Sequence, residues 1–225
     1  MTEVEWLACV DPSQMLAFLE GMGCGSNRKL RLFAVACCRR IWSGLQDERS
    51  RAAVEAAERF ADGQATQVEL RAAFTAAYAA VDDCRSFSPS SEYQAIAAFL
   101  TAARCITESV TKVPENEDAN EVAAHVWSFA IDGKIADNER QQLVLLRDIS
   151  GNPFRPVSFS LEWRTDTALS LARQMYESRD FSAMPILADA LQDAGCDSDD
   201  VLNHCRGPGP HVRGCWVVDL VLGKE

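Results

Sequence analysis

Five residues near the C-terminus carry the side chains best suited to chemistry: Cys196, His204, Cys205, His211 and Cys215. This short stretch holds two of the chain's 3 histidines and three of its 9 cysteines. Thiolate sulfur and imidazole nitrogen are preferred donors for a tetrahedral zinc ion, and four of these five would complete its shell. If the segment after Pro210 is helical, His211 and Cys215 are four apart and share a face. Against zinc stand the lack of a Cys-x-x-Cys pair and the adjacency of His204 and Cys205, which diverge on a helix. A second chemistry is nucleophilic, with Cys205 or Cys215 as thiol, His211 as base and Asp219 as orienter. A third reading is structural. The cysteines then pack as small apolar side chains, and His204 meets the last carbonyls of a helix. The structural reading stands first and zinc second.

Another candidate is a basic face on residues 27–45. Arg28, Lys29, Arg31, Arg39 and Arg40 occur there without an intervening acid. A helical wheel sets Arg28, Arg31 and Arg39 opposite an apolar stripe of Leu30, Phe33, Cys37 and Ile41, with Trp42 at the border. Arginines beside an aromatic are a common anchor for a partner protein, here one with an acidic surface. The reading placed first is instead a solvated face that pairs with acids elsewhere in the chain. The loop Asn152-Pro153-Phe154-Arg155-Pro156 is read as a crossover with Phe154 in the core, rather than as a recognition tip. No glycine-rich phosphate loop, serine nucleophile elbow or His-Glu-x-x-His helix occurs.

These residues need a scaffold, and composition bounds it. The 225 residues are 48% apolar and 24% charged, an ordinary globular balance with length enough for a substantial core. A net charge of −11 repels phosphate backbones and anionic membrane surfaces, so neither nucleic acid nor membrane is an expected partner. No apolar run is long enough to span a bilayer, and the start Met1-Thr2-Glu3-Val4-Glu5-Trp6 is not that of a signal peptide. The expectation is therefore a cytoplasmic protein with reduced cysteines.

Local punctuation predicts helices. Asp11-Pro12 opens one through Leu19, and Asn27 caps the next. Asp47 caps a helix ending at Gly63, and Thr66 with Glu69 has capping-box spacing before an alanine-rich helix to about Val81. These two segments read as a helical hairpin. Further helices are expected from Ser90 or Ser91 to Pro114, over Val122–Ala130, and from a cap at Asp137 through Ile149. Gly151 to Pro156 is the strongest break. After it, Thr165 opens a helix, Pro185 starts another, and Asp197 with Asp200 precedes Val201-Leu202. Val157–Leu161 is the one short strand candidate. Residues 216–222 suit either a strand or a terminal buried helix, with Trp216, Val217 and Leu220 packed inward.

Three stretches resemble an uncharacterised family seen as many paralogues in planctomycete bacteria. They are Glu5-Trp6-Leu7 through Cys37-Cys38-Arg39-Arg40-Ile41-Trp42, Leu146-Arg147-Asp148-Ile149 with the break that follows, and Leu187-Ala188-Asp189-Ala190 through Asp219. The resemblance implies no activity and no ligand set. The sequence thus points to an all-α fold, a bundle of antiparallel helical hairpins with a C-terminal helical cap. Residues 1–150 would form one domain and 151–225 a second segment. The expected role is a non-catalytic interaction or scaffold module without cofactor. The alternative is a zinc-binding protein or enzyme centred on the Cys/His cluster.

Overall fold

The computed structural model describes residues 1–22, 26–40, 42–45, 47–85 and 135–224. Among them every regular element is helical, so the fold is all-α. In order they are α1 (Glu3–Ala8), α2 (Pro12–Gly21), α3 (Asn27–Arg40), α4 (Glu48–Ala61), α5 (Gln67–Arg85), α6 (Ile135–Ser150), α7 (Asp166–Ser178), α8 (Met184–Asp193), α9 (Asp199–Arg206) and α10 (Trp216–Leu222). Short 3₁₀ turns occupy Trp42–Gly44 and Leu161–Trp163. None of these helices is long and apolar enough to cross a membrane. The helices expected at 90–114 and 122–130 lie outside the described residues. The chain divides into two compact units, residues 5–143 with Met1, and residues 2–4 with 144–225. The division runs through α6, whose last turns belong to the second unit.

In the first unit, local chemistry starts the helices where the sequence places it. The Asp47 carboxylate accepts from the Arg49 N–H at 2.8 Å and caps α4. At α5 the Glu69 N–H donates to Thr66 Oγ1 at 3.2 Å, and the Thr66 N–H donates to Glu69 Oε2 at 2.7 Å, a reciprocal capping box. Arg49 at the start of α4 pairs with Asp83 near the end of α5, so the two helices run antiparallel. Ala53, Ala56 and Ala57 on α4 and Ala77 on α5 are buried between Val54, Leu70 and Phe74. Such small side chains let two helix axes come close.

At α3 the first turn is capped by Ser26, whose hydroxyl accepts from the Lys29 N–H, and Asn27 is already helical. The buried face is rotated from the expected stripe. It carries Arg31, Leu32, Phe33, Val35, Ala36 and Cys38, while Leu30 and Cys37 are only half-buried. Arg31 belongs to this face because its guanidinium lies 4.6 Å from the centre of the Phe60 ring. An arginine can bury its stem and place its charge over an aromatic face, which a wheel of apolar residues does not anticipate.

The second unit has its own core. Ala168, Ala172, Met175 and Tyr176 of α7 meet Leu187 and Leu191 of α8, Val201 and Cys205 of α9, and Val217, Val218 and Val221 of α10. Full burial of each Leu, Val or Met contributes about 1.5–3 kcal/mol. Thr165 caps α7 by accepting from the Ala168 N–H. Residues 216–222 are the terminal helix rather than a strand, and Val157–Leu161 is not a strand either. Arg164 donates to the Leu220 carbonyl at 2.8 and 3.2 Å, placing a cation at the C-terminal end of α10. Asp137 lies within the first turn of α6 instead of preceding it.

Two connections set up the site. The break at 151–156 is a local turn in which the Phe154 N–H donates to Asn152 Oδ1, with Phe154 half-buried. Asn152 and Arg155 both reach Glu3 of the second unit's N-terminal stretch. Gly151, with φ +68°, is where the chain leaves α6. A Cβ there would lie 3.2 Å from Trp216 Cγ, so glycine gives the indole its place at the start of α10. Trp216 and Leu220 are half-buried, while Val217, Val218, Asp219 and Val221 are buried, so the expected inward packing holds fully for Val217 and partly for the other two.

Candidate metal centre

Four side chains of the second unit converge on one point: Asp148, His204, His211 and Cys215, with one donor atom from each within 4.8 Å of all the others. They come from four places, the last turn of α6, the last turn of α9, the loop after Gly207-Pro208-Gly209-Pro210, and the residue before α10. Asp148 Oδ1 lies 2.7 Å from His211 Nδ1 and 3.1 Å from His204 Nε2. Asp148 Oδ2 accepts from the Val212 N–H at 3.0 Å. His204 Nε2 also faces Cys215 Sγ at 3.2 Å. The two imidazoles meet edge to face with centroids 4.9 Å apart, and His204 packs against Trp216 at 5.1 Å.

The loop that delivers His211 depends on Gly209. Its φ is +66°, and a Cβ there would stand 3.2 Å from the His211 N and 3.5 Å from its Cδ2. Lacking that atom, the chain turns tightly enough for the ring to fold back over the glycine.

The cluster is shielded from water. Side-chain exposure is 3% for Asp148, 8% for His211 and 19% for His204, and Cys215 is fully buried. Asp148 is oddly placed for an acid, in the last turn of a helix, where the backbone dipole favours cations. Burial would raise its carboxyl, but the hydrogen bonds and charges of His204 and His211 outweigh that and hold it below the ordinary range. Burial pushes the Cys215 thiol well up, the Asp148 charge adds to this, and the amides of Val218 and Val217 oppose it. His211 Nε2 is buried without a hydrogen-bond partner, an uncommon state for a polar atom.

The arrangement argues against a thiol–imidazole–carboxylate relay. In such a relay the nucleophile and the carboxylate sit on opposite ring nitrogens. Here Cys215 and Asp148 both approach Nε2 of His204, and one N–H or lone pair cannot serve both well. Asp219, the expected orienter, is buried on α10 and is not in the cluster. A cation at the common point resolves the crowding. Zinc with Zn–N of about 2.0–2.1 Å and Zn–S of about 2.3 Å gives tetrahedron edges of about 3.4 Å between N and O and about 3.6 Å between N and S. The short contacts, 2.7 and 3.1 Å for N to O and 3.2 Å for N to S, fall below these edges by about 0.3 to 0.7 Å, so side-chain rotations would have to open the shell. A divalent ion with one carboxylate, one thiolate and two neutral imidazoles also sums to zero charge, as a buried site requires.

Of the five expected donors, the structure thus brings together His204, His211 and Cys215. Cys196 and Cys205 lie in the apolar core of the second unit, and burial pushes the Cys205 thiol up to about 12. On α9 His204 and Cys205 point apart, as neighbours on a helix do. Asp148 is the donor that the sequence reading leaves out. Its signal is a carboxylate in the apolar register of Leu145 and Ile149, both buried. Cys9, Cys37, Cys38, Cys196, Cys205 and Cys215 are free thiols.

The basic face of the first unit is engaged within that unit. Arg28 pairs with Asp62 at 3.1 Å, and Arg39 pairs at 2.8 Å with Glu58, which is 2% exposed. Arg39 also lies 4.2 Å over the Trp42 ring, and Arg31 is buried against Phe60, with its pKa lowered to about 10 by desolvation.

No known protein family, curated protein or solved structure matches this chain.

Proposed function

We propose that this is a non-catalytic helical module whose C-terminal unit binds one zinc ion through Asp148, His204, His211 and Cys215. The observation that carries this reading is the convergence of four donor atoms from four separate segments in a shielded site. Four protein ligands fill a tetrahedral shell, which is the pattern of structural rather than catalytic zinc. The ion would tie the end of α6, α9 and the 207–215 loop to the start of α10. Cys215 then serves as thiolate, because a coordinated metal reverses the effect of burial on the thiol. A carboxylate with imidazoles and a single sulfur suits zinc better than copper(I), which favours several soft ligands.

A scaffold or interaction role fits a protein of this composition, with the zinc-held unit supplying a rigid surface. The engaged state of Arg28, Arg31, Arg39 and Trp42 does not favour that face as the docking surface for an acidic partner. The free thiols suit a reducing compartment such as the cytoplasm. Elemental analysis of protein purified without chelator tests the reading. One zinc per chain, lost in Cys215→Ser and retained in Cys196→Ser, supports it. Metal-free protein that takes up no added zinc would leave a hydrogen-bonded polar cluster in its place.

A further inference from the structure

Resting on that zinc site, we infer that His204 is its exchangeable ligand, the one an external imidazole-type donor replaces when metal enters or leaves. The four ligands are not held alike. Asp148 sits on a buried helical turn and is fixed by the Val212 N–H at 3.0 Å. His211 is held by Asp148 at 2.7 Å and by a turn that only glycine at 209 allows without strain. Cys215 is fully buried in the core with Val217, Val218 and Val221. These three form a tripod set by the fold.

His204 also reaches Asp148 at 3.1 Å and Cys215 at 3.2 Å, but it differs from the other three in exposure and placement. It is the most exposed of the four, at 19% against 8% for His211 and 3% for Asp148. Its ring is flanked by two aromatic contacts, with His211 and Trp216, rather than enclosed by backbone. It also projects from the last turn of α9, a helix of 8 residues, whose buried Val201, Leu202 and Cys205 can keep their places while this partly exposed side chain turns outward. Rotation about the His204 side chain therefore opens a coordination position toward solvent without disturbing the tripod. The donor that fits the opening is planar, neutral and monodentate, about the size of the ring it replaces. A histidine of a metal-donating partner has that chemistry.

Cobalt(II) replaces zinc in such shells and reports geometry through its visible absorption. The experiment compares the full-length chain with His204→Ala and His211→Ala, each titrated with cobalt chloride and then with free imidazole. Intense tetrahedral bands in the unmodified protein establish the site. Their absence there overturns the zinc reading itself. For His204→Ala we expect one cobalt still bound, with weakened or shifted bands that return to the unmodified spectrum on adding imidazole. His211→Ala should bind no cobalt with or without imidazole. Two results would overturn the assignment of His204. One is a His204→Ala spectrum identical to that of the unmodified protein, because His204 is then no ligand. The other is a His204→Ala protein, folded by circular dichroism, that binds no cobalt even with imidazole, because His204 is then as indispensable as the tripod.

Discussion

The two units bury carboxylates in opposite ways. In the first, Glu58 and Asp62 each face an arginine, Arg39 and Arg28, whose charge is permanent. Such a pair brings its own counterion. In the second, Asp148 is 3% exposed, and the side chains at its oxygens are two imidazoles, which are neutral when they coordinate metal. A buried acid with a fixed counterion is a fastening. A buried acid gathered with two imidazoles and a thiol is a place for a cation. On the proposed zinc reading, the two units differ in what holds them, the first by its own side chains, the second by side chains together with an ion.

The largest effect expected on this contrast is at Asp148. Replacing it with Ala removes a ligand and leaves both imidazoles and the Val212 N–H without their acceptor. Loss of one member of a buried charged set costs about 3–5 kcal/mol. Chemical denaturation should show this loss together with the loss of bound zinc. Asp148→Ala protein that keeps both its metal and its stability would dissolve the contrast. Next comes Arg39→Ala, which leaves Glu58 buried and unpaired. With Arg39 itself partly exposed, the expected cost is about 2–3 kcal/mol. Zinc content should not change, since that pair lies in the other unit. Gly209→Ala should be milder, about 1–2 kcal/mol for forcing a side chain into left-handed backbone, and should weaken zinc retention because His211 must shift. Metal titration of that variant checks it.

Acid should separate the units with the least perturbation. The Asp148 carboxyl is held below its ordinary value, so the stability it contributes is complete above about pH 4 and is lost as pH falls through its lower folded value. Zinc should leave at higher pH than that, because protons compete for imidazole and thiolate, and metal affinity falls as acid is added. Zinc release measured with a colorimetric chelator should therefore precede acid unfolding followed by circular dichroism. Coincident curves would tie the metal to global unfolding instead.

Much of this was legible from local sequence. Asp47, Thr66 with Glu69, and Thr165 start their helices as expected, because a cap is made by residues two or three positions apart. His204, His211 and Cys215 also stood out, because they are close along the chain. Asp148 did not, since it precedes His204 by 56 residues and only the packing of α6 in the second unit carries it there. Nor could spacing sort Cys215 from Cys196 and Cys205. All three are buried cysteines among apolar neighbours, and only the direction of each side chain decides. The buried face of α3 is not legible in the sequence, because an arginine reads as polar, whereas Phe60 and a long aliphatic stem make the burial of Arg31 workable.

Hydrogen exchange with and without a zinc chelator tests the central claim most directly, because it reads both units in one sample. We expect chelation to strip protection from amides in α9 and α10 and from the 207–215 loop, while α4 and α5 exchange as before. Binding to the folded state alone is worth about 4 kcal/mol when free zinc exceeds its dissociation constant a thousandfold, so the loss of protection should be large. Equal protection of the second unit in both conditions would contradict the claim that an ion holds it.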